Sequence, residues 1–314
     1  MNQKQKLKVP AIEVSIIIIS YNVQKYLMQC IKSILHHTNI KFKYEIIVID
    51  NHSNDDTEKE VKQRYPLIIY IQNSENIGFT KAMNQAINKS KGRYIFQLNP
   101  DTELVEDSIS KLHQYASNNN NLAILGPMIT DENGRVQPSH WDAPTLLSAM
   151  LNLSNLQSVT NQFRKIKNPM RPIKVDSISG AAMFYQTSTI KRIGTFNESL
   201  FWDEDIDFCL RAEKQGYNIV FFPHTHLIHK KGKSAGTNQK VAIANQVLSK
   251  IKFFKIHHSW ISQMIFKIFC IAILPIKILL LLFMAPWKPI FLKKAAAYFF
   301  TWRLLIKRDY RIQL

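Results

Sequence analysis

Runs of apolar, mostly β-branched residues alternate with stretches of helical periodicity over residues 12–230. Apolar runs with few polar interruptions are typical of strands buried on both faces of a largely parallel sheet. The predicted strands are Val14–Ile19, Glu45–Ile49, Leu67–Ile71, Tyr94–Leu98, Leu122–Ile129 and Asp176–Tyr185. After the first strand, Leu27, Ile31 and Ile34 recur at helical spacing, which predicts a helix packed on the sheet. The alternation indicates an α/β domain.

Capping and turn residues mark the ends of several predicted elements. Asn133-Gly134 predicts a tight hairpin turn. Thr187 or Ser188 is expected to cap a short helix that ends at Gly194, and Asp203 to cap a helix that ends before Gly216. Residues 138–172 have no clear period and contain four prolines, so we expect a loop-rich insertion over the site.

Four short polar signatures stand out against this background. They are Ser20-Tyr21-Asn22, Asp50-Asn51, Asn99-Pro100-Asp101 and Glu204-Asp205-Ile206-Asp207. The first three each follow a predicted strand, and open α/β sheets bind ligands at the carboxyl ends of their strands. The sequence therefore predicts one site whose chemistry is dominated by carboxylates. It contains no phosphate-binding P-loop, no GxGxxG fingerprint after the first strand and no GxSxG elbow.

Composition restricts the class of protein. The chain has 314 residues, of which 46% are hydrophobic and 20% charged, which is enough for a large core and argues against disorder. The three cysteines show no metal-ligand spacing, which fits a reducing compartment without structural zinc. The N-terminal residues are polar and lack the apolar core of a signal peptide, so secretion is not expected.

The positive charge is concentrated in the C-terminal quarter. The formal net charge is +18, and residues 230–314 carry 16 Lys/Arg against a single acid, Asp309. These basic residues are interleaved with the apolar runs Ile268–Ile276 and Ile278–Trp287. Charge mixed with aliphatic and aromatic residues suits an anionic membrane surface, whereas nucleic-acid binding has no use for the apolar runs. We predict a membrane surface as a partner and no nucleic acid.

The apolar runs are only marginally suited to span a bilayer. The twelve Ile, Leu and Phe residues between Ile268 and Phe283 favour insertion by roughly 6 kcal/mol, while Lys277 costs about 3 kcal/mol. Pro275 disrupts the helix further, and one span would translocate many basic residues against the positive-inside tendency. We expect a kinked helical pair in the interface or a re-entrant hairpin. The alternative is an apolar hairpin packed on the soluble domain or on a second subunit.

The ordered motifs resemble the inverting glycosyltransferases of family 2, and among them bacterial rhamnosyltransferase-like enzymes that build cell-surface polysaccharides. The resemblance rests on Val14–Asn22, Glu45–Asn51, Asn76-Ile77-Gly78-Phe79 with Asn84, Leu98–Asp101, Ser179–Ala182, Gly194–Glu198, Phe201–Arg211 and His229 with Gly232 and Ser234. It implies a GT-A-type mixed, largely parallel sheet flanked by helices over residues 1–235. Residues 236–314 then form a basic, apolar helical region that associates with a membrane.

The resemblance also implies roles for individual residues. It places the donor nucleotide sugar, UDP- or dTDP-linked, at Ser20, Tyr21, Asn22, Asp50, Asn51, Asn76, Gly78, Phe79, Lys81, Asn84 and Asn99. It assigns Mg²⁺ or Mn²⁺ to Asp101 and His229, although Asn99 departs from the first aspartate of the family's DxD motif. The acceptor is expected at Gly180, Ala181, Trp202 and Asp203, and catalysis at Glu204 and Asp205, with Asp205 as the base.

Residue chemistry supports some of these roles and leaves others open. A carboxylate at the end of a strand can accept a hydrogen bond from a pyrimidine N–H, as proposed for Asp50, and a diphosphate needs a hard cation that prefers oxygen ligands. Phe79 is also typical of a core residue at a helix start, and Lys81 of a solvated one. Asp207 is expected to pair with Arg211 at i+4.

The predicted function is inverting transfer of a sugar to a hydroxyl of a lipid-linked glycan at the cytoplasmic face of the bacterial inner membrane. Two alternatives are a transferase that uses a polyprenyl phosphate as acceptor and a non-catalytic membrane-bound sugar-nucleotide binder. The first needs no general base, and the second binds donor without turning it over.

Overall fold

The computed structural model describes residues 12–38, 42–119, 121–156, 170–230 and 239–307. Its strands are β1 Val14–Ser20, β2 Tyr44–Asp50, β3 Ile69–Gln72, β4 Tyr94–Leu98, β5 Thr102–Leu104, β6 Leu122–Thr130, β7 Val136–Gln137, β8 His140–Trp141, β9 Ile173–Lys174, β10 Ser177–Ile178, β11 Ala182–Gln186 and β12 Asn218–His229. Its helices are α1 Gln24–His37, α2 Thr57–Arg64, α3 Phe79–Lys89, α4 Ser108–Ser117, α5 Leu146–Leu153, α6 Thr187–Ile193, α7 Glu204–Lys214, α8 Gln239–His257, α9 Trp260–Met284 and α10 Ile290–Ile306.

The main sheet is mixed and largely parallel, which confirms the predicted fold class. Its strands follow the order β3-β2-β1-β4-β11-β6-β12-β5, with β7 on β6 and β9 on β12. Strands β1, β2, β3 and β4 are mutually parallel, β6 is parallel to β12, and β11 runs antiparallel between β4 and β6. All the loops that follow the parallel strands therefore emerge at one edge.

The sheet separates two apolar layers, which explains the continuous apolar runs. In β1, Ile16 and Ile18 pack into one layer, while Ile17 and Ile19 pack into the other. Helices α1 and α4 cover the first layer, and α3 and α7 cover the second. A strand buried on both faces needs apolar residues at successive positions rather than at alternate ones.

Several local predictions differ from the structure. The third strand begins at Ile69 rather than Leu67, whose side chain is 96% exposed. The predicted strand Asp176–Tyr185 is interrupted at residues 179–181, so that β10 pairs with β8 and only β11 joins the main sheet. The interrupting loop crosses the carboxyl edge of β4, where its backbone contacts site residues.

The cap predictions were partly wrong, and the turn prediction is confirmed. Helix α6 begins at Thr187 with Gln186 as its N-cap, and it ends at Gly194 as predicted. Asp203 occupies the N-cap of α7, but its side chain makes no capping hydrogen bond. Asp131 closes the turn around Asn133-Gly134, accepting hydrogen bonds from residues 133 to 135, and joins β6 to β7.

The segment 138–172 contains more regular structure than expected. It includes β8 and α5, and α5 begins with a reciprocal capping box between Thr145 and Ser148. Ala149 of α5 packs into a third apolar cluster formed with α8, α9 and α10. Residues 157–169 lie outside the described residues, and the placement of this segment over the site stays a prediction.

The C-terminal region forms a helical unit of α8, α9 and α10. Helix α9, of 25 residues, runs through Pro275 and is the one described helix long and apolar enough to cross a membrane. Its most apolar stretch of 18 residues has a mean hydropathy of 2.6, and only 22% of that stretch is buried. Lys277 is buried and donates hydrogen bonds to the Leu153 carbonyl oxygen at 2.7 Å and to Asn155 Oδ1 at 3.1 Å.

Much of the apolar surface of this unit is bare. Its exposed large hydrophobic residues are Ile256, Trp260, Ile261, Met264, Ile265, Ile268, Ile276, Leu279, Leu280, Leu282, Phe283, Met284, Trp287, Ile290, Leu292, Phe299 and Ile306. Exposed apolar patches of this extent mark surfaces that meet another apolar phase. Helices α9 and α10 form an apolar hairpin that packs on α8, and its outer face stays uncovered within the described residues. The expected attachment to a membrane interface stays a prediction.

Candidate functional site

Parallel pairing brings three of the predicted signatures together. Ser20 lies opposite Asp50 in the register of β1 and β2, and Ile18 lies opposite Leu98 in the register of β1 and β4. The Asn51 amide extends this pairing by donating to the Ser20 carbonyl oxygen at 2.8 Å. The residues after β1, β2 and β4 therefore share one edge of the sheet.

The Asp50 carboxylate is fully buried at this edge. Its Oδ1 accepts a hydrogen bond of 2.6 Å from the Ser53 amide, and the Tyr70 hydroxyl lies beside the carboxylate within hydrogen-bonding reach. Burial raises the pKa of Tyr70, and the nearby charge of Asp50 raises it further. A buried carboxylate with few donors around it carries a desolvation cost that a bound N–H donor offsets.

The loop after β1 is held against the loop after β2. Asn22 has a left-handed backbone with φ of 54°, and its amide donates to Ser53 Oγ at 2.8 Å. Its Oδ1 accepts from the Asn54 amide at 2.8 Å. Asn51 Oδ1 accepts from Asn73 Nδ2 at 2.9 Å, while Tyr21 is exposed. These contacts fix the walls around Asp50.

Around the start of α3, the residues expected to bind the donor nucleotide sugar lie in different environments. Asn76 Oδ1 accepts from the Gly78 amide at 3.0 Å, and Gly78 has a positive φ of 83° that favours glycine. Phe79 packs on the second apolar layer, and Lys81 is exposed.

Asn84 lies one turn further and is buried. Its side chain exchanges hydrogen bonds of 2.9 and 3.0 Å with the backbone of Phe196 and donates to Glu198 at 3.0 Å. This amide is thus fully occupied in joining α3 to the loop after α6. The structure does not bring Asn84 together with the strand-end residues by any described contact.

The predicted metal residues form a pair of one buried and one partly buried side chain. Asp101 lies three residues after the end of β4, and its Oδ1 lies 3.3 Å from Nε2 of His229 at the end of β12. The pair comes together because β12 runs beside β5, which starts immediately after Asp101, with His229 opposite Thr102. Short strand β5 was not predicted from the sequence.

The donor chemistry of this pair fits a hard divalent cation with further oxygen ligands from a diphosphate. Among the described residues, no group of three His, Cys, Asp or Glu side chains is placed to hold a metal. Lys230, which follows His229, pairs with Glu103 at 2.7 Å and Glu132 at 3.3 Å. Gly232 and Ser234, which the family resemblance also invoked, lie outside the described residues.

The Asp205 carboxylate is held by two backbone amides. Oδ2 accepts from Gly180 at 3.0 Å, and Oδ1 accepts from Ile206 at 2.8 Å. Burial raises the pKa of Asp205, while these two hydrogen bonds lower it. Burial also raises the pKa of the neighbouring Glu204, and the charge of Asp205 adds to that effect. Burial is thus the largest cause of the raised pKa of both carboxyls.

Hydrogen bonds to the loop at residues 179–181 link the start of α7, which carries Asp205, to the residues before Asp101. Gln97, in β4, donates from Nε2 to the Gly180 carbonyl oxygen at 2.7 Å. The Asn99 amide donates to the Ala181 carbonyl oxygen at 2.9 Å. The loop at 179–181 therefore contacts Asp205 on one side and the residues just before Asp101 on the other.

Gln97 is a site residue that sequence reasoning missed. It is the single amide side chain in the buried strand Tyr94–Leu98, and burial of an amide without a hydrogen-bond partner is energetically costly. That interruption of an apolar run was the signal available in the sequence.

The remaining acids of the cluster, Asp203 and Asp207, form ion pairs within α7 and with α8. Asp203 pairs with Lys250 of α8 at 2.5 Å. Asp207 pairs with Arg211 at 2.8 Å, which confirms the i+4 prediction, and also with His257 at 2.7 Å. Trp202 has a positive φ of 76° and is 51% exposed beside these acids.

Comparison with known proteins places the chain among transferases. The family model described as "Glycosyl transferase family 2" matches residues 15–194, more than half of the chain. The N-acetylglucosaminyl-diphospho-decaprenol L-rhamnosyltransferase of Mycobacterium tuberculosis is 27% identical over 68% of this chain and 75% of its own length. The poly(ribitol-phosphate) beta-N-acetylglucosaminyltransferase TarP of Staphylococcus aureus is 26% identical over 76% of this chain and 72% of its own length.

Solved structures share the fold at low sequence identity. GalNAc-T7 crystallised with UDP, GalNAc and Mn²⁺ superposes with a TM-score of 0.56 at 18% identity, over 76% of this chain and 47% of that one. Staphylococcus aureus TarS superposes with a TM-score of 0.51 at 17% identity, over 79% of this chain and 44% of that one. This chain thus corresponds to less than half of each of those proteins.

Proposed function

Since this chain belongs to glycosyl transferase family 2 and is a glycosyltransferase, we propose that it moves a sugar, with inversion, from a UDP- or dTDP-linked donor to a hydroxyl of a lipid-linked glycan. The observation that carries the proposal is the placement of Asp205. Its carboxylate is bound by the Gly180 amide, in the same loop that binds Asn99 two residues before Asp101.

The Asp50 carboxylate is proposed to bind the nucleotide base. The carboxylate is fully buried and accepts one backbone hydrogen bond, from the Ser53 amide, and a pyrimidine ring N–H is a further donor that its remaining lone pairs can accept. Ser20, Asn22 and Asn51 form the surrounding walls. Both uracil and thymine carry the required ring N–H, so this contact accepts either nucleotide.

Asp101 and His229 are proposed to hold Mg²⁺ or Mn²⁺ on the donor diphosphate. The buried carboxylate and the imidazole lie 3.3 Å apart, and oxygens of the donor diphosphate would supply the further ligands that a hard cation needs. When bound, the cation neutralises charge on the leaving diphosphate. Asn99, in place of an acid, adds no charge and is free to bond a ribose hydroxyl through its side-chain amide.

Asp205 is proposed to act as the general base. It takes the proton from the acceptor hydroxyl as that oxygen bonds to the anomeric carbon, and the bond from this carbon to the donor diphosphate oxygen breaks on the opposite face. The two amides that hold Asp205 fix its direction, and such positioning supports proton transfer in the transition state. Glu204 is proposed to form the catalytic pair with Asp205, and Gly180, Ala181, Trp202 and Asp203 are proposed to line the acceptor site.

The helical unit of α8, α9 and α10 is proposed to attach the enzyme to the cytoplasmic face of the membrane. The exposed apolar residues of α9 supply the apolar contact, and the basic residues of 230–314 supply attraction to anionic lipid. The two curated relatives are named for a decaprenol-linked and a poly(ribitol-phosphate) acceptor, which supports a cell-surface glycan acceptor here.

The Asp205→Asn variant tests this function. We expect it to fold, to bind donor as wild type does, and to lose transfer by at least about a hundredfold, the contribution typical of a general base. Transfer is measured from a panel of radiolabelled UDP- and dTDP-linked hexoses and deoxyhexoses to a lipid extract of bacterial membranes.

Other outcomes select the alternatives. Wild-type transfer rates in the folded variant contradict the base assignment and favour a polyprenyl phosphate as acceptor, because that nucleophile is already ionised. If the wild-type protein binds the donor but neither transfers the sugar nor slowly hydrolyses the donor, it is a non-catalytic sugar-nucleotide binder.

A further inference from the structure

A helix of the C-terminal unit contacts the acidic cluster directly. Lys250 of α8 lies 2.5 Å from Asp203 Oδ1, with the two side chains 21% and 6% exposed. These residues are 47 positions apart in the sequence. An ion pair with so little solvent around it is costly to break, because removal of one partner leaves the other charge buried and uncompensated.

Further contacts hold α8 along the same stretch of chain. Ser249 Oγ accepts a hydrogen bond of 2.7 Å from the Phe201 amide, and Lys252 Nζ donates to the Ser199 carbonyl oxygen at 3.0 Å. Phe253 packs with Leu200 and with Leu210 of α7 in a separate apolar cluster. One face of α8 is therefore fitted to residues 199–203 and to α7.

The opposite face of α8 belongs to the membrane-facing unit. Leu248, Ile251 and Phe254 pack in the apolar cluster that includes residues of α9 and α10. The same helix thus contacts both the segment that carries the candidate base and the helices with the bare apolar surface.

The Asp203 side chain contacts Lys250 instead of capping α7. It occupies the N-cap of α7, where an aspartate normally accepts a hydrogen bond from the first turn, yet its side chain makes no such bond. Its carboxylate instead turns to Lys250. The start of α7, with Asp205 two residues further on, is anchored by an element outside the sheet domain.

We propose that Lys250 is a positioning residue of the transfer reaction, which fixes Asp203 and through it the start of α7 that carries the base Asp205. This inference rests on the proposed function. It makes the C-terminal unit part of the scaffold of the active site as well as a membrane attachment.

The charges around the base give this role an electrostatic signature. The groups near Asp205 are Glu204 and Asp203 on its own segment and Lys250 on α8, while Arg211 and His257 are engaged by Asp207. The charge of Lys250 lowers the pKa of Asp205, against burial and the charge of Asp203, which raise it. Loss of the Lys250 charge should therefore raise the pKa of the base.

The test compares Lys250→Met, Lys250→Arg and the control Lys255→Met in the full chain. Lys255 lies on the same helix with an exposed side chain, so its substitution removes a charge without touching Asp203. Transfer to the membrane lipid extract is measured as kcat and donor KM over pH 5–9, beside thermal unfolding of each variant.

We expect Lys250→Met to lower kcat about tenfold or more with donor KM within about twofold of wild type, which corresponds to lost alignment of the base rather than lost donor binding. The acidic limb of its kcat profile moves to higher pH. Lys250→Arg restores most of kcat, and Lys255→Met matches wild type. In an Asp203→Asn background, Lys250→Met should add little further loss, because the two residues act as a pair.

Two results overturn the proposal. One is a Lys250→Met protein that keeps wild-type kcat and pH profile. The other is a fall in kcat that Lys250→Met and Lys250→Arg share in proportion to a fall in unfolding temperature, while the acidic limb of the pH profile does not move. That result identifies a purely structural ion pair. Absence of transfer by the wild-type protein is a different outcome, since it contradicts the proposed function itself.

Discussion

The backbone amide of Gly180 donates a hydrogen bond of 3.0 Å to Oδ2 of Asp205. This contact joins the loop between β10 and β11 to the first turn of α7. Gln97 of β4 contacts the same loop, because its Nε2 donates a hydrogen bond of 2.7 Å to the Gly180 carbonyl oxygen. The direction of the Asp205 carboxylate is therefore set by the sheet through one short loop.

Gly180→Ala tests this relationship. An added Cβ would lie 3.0 Å from Gln97 Nε2, so the Gln97 amide must shift by a few tenths of an ångström. This shift disturbs its hydrogen bond to the Gly180 carbonyl oxygen in the loop that holds Asp205. We expect kcat to fall about tenfold or more while donor affinity is kept, measured by initial rates and calorimetry, because small misplacement of a base is costly.

The control for this variant is Gly134→Ala. Gly134 has a positive φ of 75° in the hairpin after β6, and nothing lies within 4 Å of an added Cβ. Its substitution should lower stability by about 1 kcal/mol through backbone strain and leave kcat unchanged. Equal kcat for Gly180→Ala and wild type would show that the loop does not position the base.

Asp50→Asn tests the base-binding pocket of the donor. The substitution replaces one acceptor oxygen of a buried carboxylate by an amide NH₂ donor, which repels a pyrimidine N–H. We expect affinity for UDP and dTDP to fall about tenfold or more, as for the loss of a hydrogen bond to a charged group. Affinity is measured by calorimetry, and Glu58→Gln, on an exposed face of α2, is the control. Unchanged affinity would remove Asp50 from the donor site.

The strand runs and the three strand-end signatures could be predicted because each depends on neighbours in sequence. Residues Ile16–Ile19 are apolar at every position since the sheet is covered on both faces. The strand interrupted at residues 179–181 could not be predicted, because its break follows from contacts with Gln97, Asn99 and Asp205 in other elements.

The acids at the start of α7 show the same limit. Spacing alone predicted the Asp207–Arg211 pair at i+4. The partner of Asp203 could not be predicted, because Lys250 belongs to a helix that periodicity describes only as part of a basic, apolar region. Similarly, Asn84 matches a family motif, yet its amide is fully used by Phe196 and Glu198.

The pH dependence of transfer should reflect the environment of Asp205. Burial raises the pKa of this carboxyl, and a general base must be deprotonated to act. The transfer rate should therefore be maximal above the raised pKa and should fall as pH drops through it. The fall should occur at a higher pH than it would with an ordinary aspartate as the base, whose pKa is about 3.9. The profile of kcat at saturating donor measures this. An activity that stays constant down to about pH 4 would contradict an ionised Asp205 as the base.

Leu279→Ser combined with Phe283→Ser tests membrane attachment through α9. Their side chains are 67% and 72% exposed, and burial of such a residue contributes about 1.5–3 kcal/mol. We expect the double variant to bind vesicles of phosphatidylglycerol and phosphatidylethanolamine about tenfold or more weakly, measured by cosedimentation.

Leu67→Ser is the matched control, since Leu67 is 96% exposed on the sheet domain. It should bind vesicles as wild type does. Raised salt should weaken wild-type binding, because the basic residues act on anionic lipid through a screened field. Equal binding by the double variant and wild type would assign the bare face of α9 to a protein partner.

The measurement that tests the central claim most directly is calorimetric titration of wild type and Asp101→Asn with UDP and dTDP, with Mn²⁺ and with EDTA. Wild type should bind UDP or dTDP more tightly with Mn²⁺ than with EDTA, and Asp101→Asn should lose that difference. The reason is that Asp101 and His229 form the pair at 3.3 Å that is proposed to hold the cation. Failure of wild type to bind either nucleotide, with or without Mn²⁺, would contradict the donor site at the ends of β1, β2 and β4.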